Sequence, residues 1–285
     1  HKIILAKDIG IENFDDLCKK YDIIELNTSV KASFFKYIFS KYKNTDFAFY
    51  FDPDIMIFNS LNTLENEFRN NDILLTTHIN TPINFDEFRP NENVFLNYGI
   101  YNLGFLGLRR SEETFSLLDW WEERLLNYGF NKVSKGFFVD QLWMNFTPLF
   151  FTKVKVLKEY GYNCAPWNVH ERKGIKSINN TYVMYYSSPL TFFHFSSYNY
   201  SKPNNISKYY NRYDFTNCSE LIHLYKEYHK HIIDNNIAKL SLVKCRYALR
   251  YAKEEKTSIL SGVKSFFKLI LPPIIFLVAK KVFRN

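Results

Sequence analysis

Cysteine is scarce in the 285-residue chain, and its four cysteines lie far apart. No two of them form a CxxC pair, which excludes the common zinc-binding spacings. Reduced thiols in a cytoplasmic protein are the plain interpretation. The sequence also lacks internal repeats and low-complexity segments. Its length is that of one large domain or two small ones.

A net positive charge is absent from most of the chain, although the whole chain has a net charge of +8. Residues 239–285 contain eleven Lys and Arg against two acidic residues, a net of +9, which leaves −1 for the remainder. A nearly neutral body argues against nucleic acid as a partner. The basic tail indicates contact with something anionic.

A hydrophobic run long enough to cross a bilayer is also lacking. The apolar core of the tail, residues 269–279, is interrupted by Pro272 and Pro273, and it is shorter than the about 20 residues that a spanning helix needs. We expect residues 219–285 to form a helical extension on an anionic membrane surface, at the inner face of the plasma membrane. Packing of this segment on the domain or on a partner is the alternative.

Aromatic residues, in contrast, make up 19% of the chain. Residues 47–51 (Phe-Ala-Phe-Tyr-Phe) form an apolar run that is typical of a strand buried on both faces. The run ends in Asp52 and Asp54, which are separated by Pro53. Ligands of open α/β sheets bind outside the carboxyl ends of the strands, so the two carboxylates are candidate ligands of a divalent cation. An ordinary Asp-Pro turn is the alternative.

Short apolar runs alternate with helical patterns, which favours an α/β fold. The runs predict strands at residues 2–6, 23–26, 47–51, 73–77, 154–157, 182–186 and 190–200. The helical patterns predict helices at residues 13–21, 30–42, 61–69, 114–128 and 220–252.

Three further groups of polar or small residues interrupt apolar runs. They are Asn102-Leu103-Gly104, Asp140-Gln141, and His194 with Lys202-Pro203. Glycine inside a strand pattern indicates the close approach of another group. Taken singly, each group also has a structural explanation: a glycine that serves packing, a helix cap at Asp140, and a core histidine.

Taken together, the four groups resemble the GT-A glycosyltransferases, most closely glycosyltransferase family 8. That family has, in order, Asp-x-Asp at a strand end, Asn-x-Gly, Asp-Gln and His-x-x-Gly-x-x-Lys-Pro. The first three are matched here by Asp52-Pro53-Asp54, Asn102-Leu103-Gly104 and Asp140-Gln141. The last is matched in part, since Ser197 stands in place of glycine and the lysine comes two residues late. The resemblance spans residues 25–203.

The resemblance implies a GT-A catalytic domain over residues 1–218, a Rossmann-like mixed sheet flanked by helices. It implies that Asp52, Asp54 and His194 hold Mn²⁺ or Mg²⁺. A ligand set of carboxylate oxygens with one imidazole suits either metal. Lys202 would contact the diphosphate of a nucleotide sugar. Lys31 is a second candidate for that contact, and a solvated helix lysine is its alternative interpretation.

The same resemblance implies that Asn102 and Gly104 bind the donor sugar, with Asp140 and Gln141 as the catalytic residues. Asp140 would hold sugar hydroxyls, and Gln141 would lie near the anomeric carbon. Family 8 is described as retaining, and residues 162–168 look like an acceptor-side loop. The implied donor is a nucleotide-diphosphate sugar, with UDP favoured. The implied acceptor is a glycan or lipid-linked glycan in surface polysaccharide assembly.

One departure leaves other functions open. The chain begins at His1 without methionine or signal peptide, and no base-binding strand and loop is readable before Asp52. Either the first strands are absent or the nucleotide site is built differently. A catalytically inactive GT-A module at the membrane is therefore one alternative. A phosphatase with an aspartyl nucleophile is the other, although Met56 stands where that family has Thr or Val.

Overall fold

The computed structural model describes residues 2–178, 181–184, 188–243 and 245. Within them the helices are α1 Phe14–Lys20, α2 Ile23–Ser29, α3 Lys31–Lys41, α4 Asn62–Glu67, α5 Glu92–Tyr98, α6 Glu112–Tyr128, α7 Thr147–Phe150, α8 Leu221–Asp234 and α9 Ile237–Leu240. The strands are β1 Phe47–Phe51, β2 Ile55–Ile57, β3 Ile73–Thr77, β4 Tyr101–Arg109, β5 Asn131–Lys132, β6 Phe137–Phe138, β7 Val154–Leu157, β8 Lys176–Ile178, β9 Thr181–Val183 and β10 Phe192–His194. Short 3₁₀ helices cover Ala6–Asp8, Val133–Lys135 and Leu142–Phe146.

Four strands form a central mixed sheet in the order β1-β4-β3-β7. β4 runs antiparallel to both of its neighbours, β1 and β3, whereas β3 and β7 are parallel. Helices flank this sheet, so the predicted α/β architecture with a mixed sheet is confirmed. The finer assignment to the GT-A fold stays a prediction.

One face of the sheet is covered by helices α3 and α6. The buried contact consists of Phe35, Phe39, Leu106, Leu108, Leu118, Trp121 and Leu125. Helix α6 begins where Oγ of Ser111 accepts a hydrogen bond from the Thr114 N–H at 3.1 Å, which satisfies one of the free donors of the first turn. Its apolar residues recur at helical spacing, so one face of the helix turns to the core.

A second sheet, formed by β2 and β10, carries part of the candidate site. Phe193 of β10 lies in one buried cluster with Leu221, Leu224 and Tyr225 of α8. Helix α8 therefore packs directly on strand β10. The predicted boundary at residue 218 stays a prediction.

The two strands predicted near the N-terminus are wrong. Residues 23–26 lie in helix α2, because the Asp22 side chain accepts hydrogen bonds from the N–H groups of Ile24 and Glu25. The Glu25 carboxylate accepts from the Asp22 N–H in return, at 3.0 Å. This capping box starts a helix where the apolar residues alone favour a strand. Residues 2–5 form no regular element.

Strand β1 was predicted correctly, but not its burial on both faces. It lies at the edge of the four-stranded sheet, and its five residues are only partly buried. Phe47 and Phe49 stack on Phe68 with ring centroids 5.2 and 5.5 Å apart. Ala48 and Tyr50 pack against the cluster formed with α3 and α6, and the three phenylalanines pack against a second buried cluster that contains Phe68, so each face of this edge strand is partly shielded from water.

The strand predicted at residues 190–200 is shorter, since only Phe192–His194 pairs as β10. Further on, Ser197 adopts a left-handed conformation with φ of 61°. Glycine reaches that conformation without steric cost. Ser197 stands where the family motif has glycine, and the backbone conformation at this position is one that glycine adopts easily.

The helix predicted at residues 220–252 appears as α8 and α9, and its end lies outside the described residues. The basic tail from residue 246 onward, with the apolar segment 269–279, lies outside them as well. Within the part of the chain that the structure describes, every helix is too short or too polar to span a membrane.

Candidate functional site

The pairing of two short strands brings two carboxylates next to an imidazole. The Asp52 N–H donates to the Gly104 carbonyl at 2.8 Å, which ties the end of β1 to β4. The Ile55 N–H donates back to the Asp52 carbonyl at 3.0 Å, which closes a turn around Asp54. β2 then pairs with β10 so that Ile55 lies opposite His194.

Asp52, Asp54 and His194 each offer one ligand atom, and these atoms lie within 4.8 Å of one another. Nε2 of His194 is 3.0 Å from Oδ1 of Asp54 and 4.0 Å from Oδ2 of Asp52. Ligand atoms about 2.1 Å from one octahedral ion are about 3 to 4 Å apart. The three residues could therefore hold a single divalent metal ion.

His194 stabilises the ionised form of Asp54 in this arrangement. Burial opposes ionisation of Asp54, but the hydrogen bond and charge of His194 outweigh it and hold the pKa of that carboxyl below its ordinary value. Asp54 is therefore ionised at neutral pH. The His194 ring is buried, with Trp167 edge-on at a centroid distance of 5.1 Å.

Gly104 leaves the space that the His194 ring occupies. A Cβ on residue 104 would lie 2.5 Å from Cε1 and 2.6 Å from Nδ1 of His194, and 2.8 Å from Oδ1 of Asn102. These separations are far below van der Waals contact, so any side chain here would displace the imidazole. The glycine predicted from the Asn-x-Gly motif thus has a steric role beside the candidate metal site.

Lys31 is buried, so its interpretation as a solvated helix lysine is wrong. Its Nζ lies 2.7 Å from Oδ2 of Asp140, 3.0 Å from the Leu103 carbonyl and 3.6 Å from Oδ1 of Asp52. Burial opposes the charged ammonium, but Asp140 and Asp52 outweigh it and raise the pKa of Lys31. Lys31 therefore joins the candidate metal ligand Asp52 to Asp140. Its contact with a diphosphate stays a prediction.

Asp140 faces this ammonium from a strained segment. Burial raises the pKa of the Asp140 carboxyl, and the charge of Lys31 opposes that rise. The preceding residue, Val139, has a φ of 38°, which is rare for a β-branched side chain. The Trp121 Nε1–H donates to the Asp140 carbonyl at 3.1 Å and anchors the segment to helix α6.

Asn102 is fixed by four hydrogen bonds. Its Oδ1 accepts from the Gly104 N–H at 3.1 Å and from Nδ2 of Asn163 at 3.0 Å. This fixes the orientation of the amide, so Nδ2 is the donor that points to Oε1 of Gln141 at 3.4 Å and to Nε2 of His78 at 3.3 Å. Asn163 belongs to the loop predicted for the acceptor side, and it lies against Asn102.

Gln141 is held by backbone groups at both ends of its amide. Its Oε1 accepts from the Leu103 N–H at 3.0 Å, and its Nε2 donates to the Tyr98 carbonyl at 2.8 Å. With the bond from Asn102, both lone pairs of Oε1 are occupied. The predicted catalytic role of Gln141 stays a prediction, and the contacts observed here position strand β4 against the segment that carries Asp140.

His78 completes the network as a neutral imidazole. Since Nδ2 of Asn102 donates, Nε2 of His78 accepts. Burial lowers the pKa of His78 to about 4. The ring stacks on Phe95, with centroids 5.0 Å apart.

A cleft of about 820 Å³ contains these groups. Eight of the nine predicted site residues line it, namely Lys31, Asp52, Asp54, Asn102, Gly104, Asp140, Gln141 and His194. Lys202, the ninth, is exposed and lies outside the lining, in a turn where its N–H donates to the Asn199 carbonyl. The longer spacing between His194 and Lys202 is consistent with this placement.

The sequence patterns do not predict several of the lining or supporting residues. They include Tyr50, His78, Arg89, Tyr98 and Tyr209. Tyr50 donates to Oδ1 of Asp52 at 2.5 Å, and one signal could have found it. Side chains two apart in a strand share a face, so a tyrosine two residues before Asp52 is placed beside that carboxylate.

Comparisons with known proteins give partial similarities, and no protein-family model matches the chain. It is 29% identical over 137 residues to the uncharacterized protein YfnF of Bacillus subtilis (strain 168), covering 48% of this chain and 45% of that protein. It is 24% identical over 176 residues to the uncharacterized protein YfnD of the same organism, covering 60% and 52%. The chain thus spans about half the length of these relatives.

A solved structure also aligns with the chain. It is a glycosyltransferase involved in the glycosylation of the major capsid of PBCV-1, with a TM-score of 0.39 and 9% sequence identity. The alignment covers 61% of this chain and 72% of that one.

Proposed function

We propose that the chain is a metal-dependent glycosyltransferase that moves a sugar from a nucleotide-diphosphate donor, UDP favoured, to a glycan or lipid-linked acceptor. One observation carries this proposal. Two carboxylates and an imidazole converge on one point of a cleft that also contains a buried Lys31–Asp140 pair. Resemblance to GT-A enzymes motivates the sugar chemistry, and the geometry supports a cation site within reach of polar groups.

Asp52, Asp54 and His194 would hold the ion, and their carboxylate-rich set favours Mn²⁺ or Mg²⁺. When bound, such an ion supplies charge neutralisation for a diphosphate leaving group. Tyr50 and Lys31 both approach Oδ1 of Asp52. They leave Oδ2 to face His194.

In this proposal Asp140 would orient a sugar rather than move a proton freely, because its carboxylate is paired with Lys31 at 2.7 Å. Its remaining acceptor capacity could bind sugar hydroxyls at the cleft surface. Gln141 and Asn102 would shape the floor under that sugar. Retention of configuration belongs to the proposal by resemblance.

Surface polysaccharide assembly at the inner face of the plasma membrane completes the proposed function. The basic, apolar tail of residues 239–285 supports this location through its charge. Two other functions stay as outcomes to be tested: an inactive module of the same fold, and a phosphatase with Asp52 as nucleophile.

Isothermal titration of UDP and of GDP, each with and without Mn²⁺, tests the proposal on the wild type and on Asp54→Ala. We expect Mn²⁺-dependent binding of UDP that is lost in the variant. Hydrolysis or transfer of a UDP-sugar would then separate an enzyme from an inactive module. Absence of nucleotide binding in the wild type would contradict the proposed function, and covalent phosphorylation of Asp52 would identify the phosphatase.

A further inference from the structure

Hydrogen bonds join two segments at the cleft, residues 84–90 and 209–212, and we call these two segments the rim. The Arg89 N–H donates to Oδ1 of Asn211 at 2.8 Å. The N–H groups of Asn211 and Arg212 donate to the Arg89 carbonyl at 3.2 and 3.1 Å. The backbone of Arg89 is therefore held on both sides, and its side chain takes no part in that fixation.

Arg212 stiffens the rim further. Its Nη1 and Nη2 donate to the two carboxylate oxygens of Asp86, each at 2.7 Å. Nη2 also donates to the carbonyls of Phe88 and Pro90, both at 3.2 Å. Bidentate pairs of this kind fix geometry as well as add energy. The rim is therefore in place before any substrate arrives.

Arg89 is the cation that the rim presents to the cleft. Its exposed side chain lines the cleft, and the described part of the chain gives its guanidinium no hydrogen bond and no ion pair. Lys31 also lines the cleft, but Asp140 and Asp52 occupy its ammonium. Near the rim, Nζ of Lys208 lies 5.4 Å from the ring centroid of Tyr209 and adds positive charge.

Two exposed tyrosines share the cleft lining with Arg89. Tyr98 and Tyr209 are 38% and 63% exposed, although large aromatic side chains are usually more buried. A tyrosine offers an apolar ring face and a polar hydroxyl. This combination suits a sugar ring, which has apolar faces and hydroxyl edges.

We propose that Arg89 and Tyr209 of the rim, with Tyr98 of the cleft lining, form a subsite for a phosphate-bearing sugar substrate, in which the phosphate binds the Arg89 guanidinium and the sugar ring lies against the two tyrosines. The proposal rests on the proposed function, since it names a substrate group for the same cleft. A guanidinium presents paired N–H donors that match two phosphate oxygens. The phosphate could belong to the acceptor or to the diphosphate of the donor, and binding measurements separate these sources.

Titration calorimetry with glucose 1-phosphate, and separately with UDP plus Mn²⁺, tests the subsite on the wild type and on Arg89→Ala. We expect the affinity for one or both probes to fall about tenfold or more in the variant, because charge-assisted hydrogen bonds to phosphate are lost. A loss confined to glucose 1-phosphate places the acceptor at the rim. A loss that includes UDP places the donor diphosphate there.

Arg69→Ala is the matched control, because Arg69 is an exposed arginine outside the cleft lining, and both affinities should stay at the wild-type value. Arg89→Lys should retain part of the binding, since it keeps the charge but not the paired donors. Equal affinities in the wild type and Arg89→Ala, or no binding of either probe, would overturn the subsite. Failure of the proposed function is read separately, from the loss or persistence of Mn²⁺-dependent UDP binding in Asp54→Ala.

Discussion

Gly104 and His194 share a space that admits no side chain on the glycine, since a Cβ there would lie 2.5 Å from Cε1 of the histidine. We predict that Gly104→Ala displaces the imidazole and weakens Mn²⁺ binding about tenfold or more, as loss of ligand orientation typically does. Electron paramagnetic resonance of free Mn²⁺ measures this affinity without any substrate.

Gly136→Ala is the control for that variant. Gly136 has a φ of 76° and open space around its Cβ position, so alanine there costs about 1 kcal/mol of folding free energy through backbone strain alone. Mn²⁺ affinity should stay unchanged in this protein. Wild-type Mn²⁺ affinity in Gly104→Ala would show that His194 is not a ligand.

Tyr50→Phe removes the hydrogen bond to Oδ1 of Asp52 and little else. We expect Mn²⁺ affinity to fall about tenfold, because the groups that orient a ligand are worth about 10- to 100-fold in metal binding. Tyr160→Phe, at a partly exposed tyrosine outside the cleft lining, should leave the affinity unchanged. Equal Mn²⁺ affinities in Tyr50→Phe and Tyr160→Phe would mean that the hydrogen bond from Tyr50 does not help Asp52 to bind the ion.

Lys31→Met leaves two carboxylates without their shared cation. Removing one partner of a buried ion pair typically costs about 3 to 5 kcal/mol of stability, and we expect a loss of this size in urea denaturation. Adding Asp140→Asn to this variant should recover part of the loss, because it removes one uncompensated charge. If the double variant loses as much stability as the Lys31→Met and Asp140→Asn variants lose in sum, the direct pairing of Lys31 with Asp140 is contradicted.

His78 makes stability depend on pH. Its pKa is about 4 in the folded chain and about 6.5 when unfolded, so the unfolded state binds a proton first as the pH falls. Stability contributed by the neutral ring is present above pH 6.5 and is lost progressively down to pH 4, by about 3 kcal/mol. Urea denaturation at pH 7 and pH 4.5 measures this loss.

His78→Gln isolates the contribution of the imidazole, because a glutamine oxygen can still accept from Nδ2 of Asn102. We expect a smaller drop in stability between the two pH values in this variant than in the wild type. Asp140, whose raised pKa acts in the opposite direction, is common to both proteins and cancels in the comparison. An equal drop in both would show that His78 does not titrate below its ordinary range.

Much of the candidate site could be predicted from the sequence because its residues interrupt apolar runs. Asp52, Asp140 and His194 each stand out against hydrophobic neighbours, and pairing in the folded chain explains why such polar groups are tolerated there. Arg89 and Tyr209 were not readable, because they lie in polar loops where arginine and tyrosine are unremarkable. Their position follows from loop-to-loop hydrogen bonds, and local sequence does not encode those.

A similar share of the fold could be predicted from the sequence. Strands β1, β3 and β7 follow from short apolar runs, whereas helix α2 was missed because two hydrogen bonds at Asp22 decide its start. The order of the strands depends on contacts between distant segments, which periodicity does not report.

The pairing of β2 with β10 would couple metal binding to folding. Asp52 and Asp54 meet His194 only where these strands pair, so the unfolded chain offers the ion no comparable site. An ion at a hundredfold excess over its dissociation constant would then stabilise the native chain by about 2.7 kcal/mol. Thermal denaturation with and without Mn²⁺ would therefore report the occupancy of this centre before any sugar donor is known.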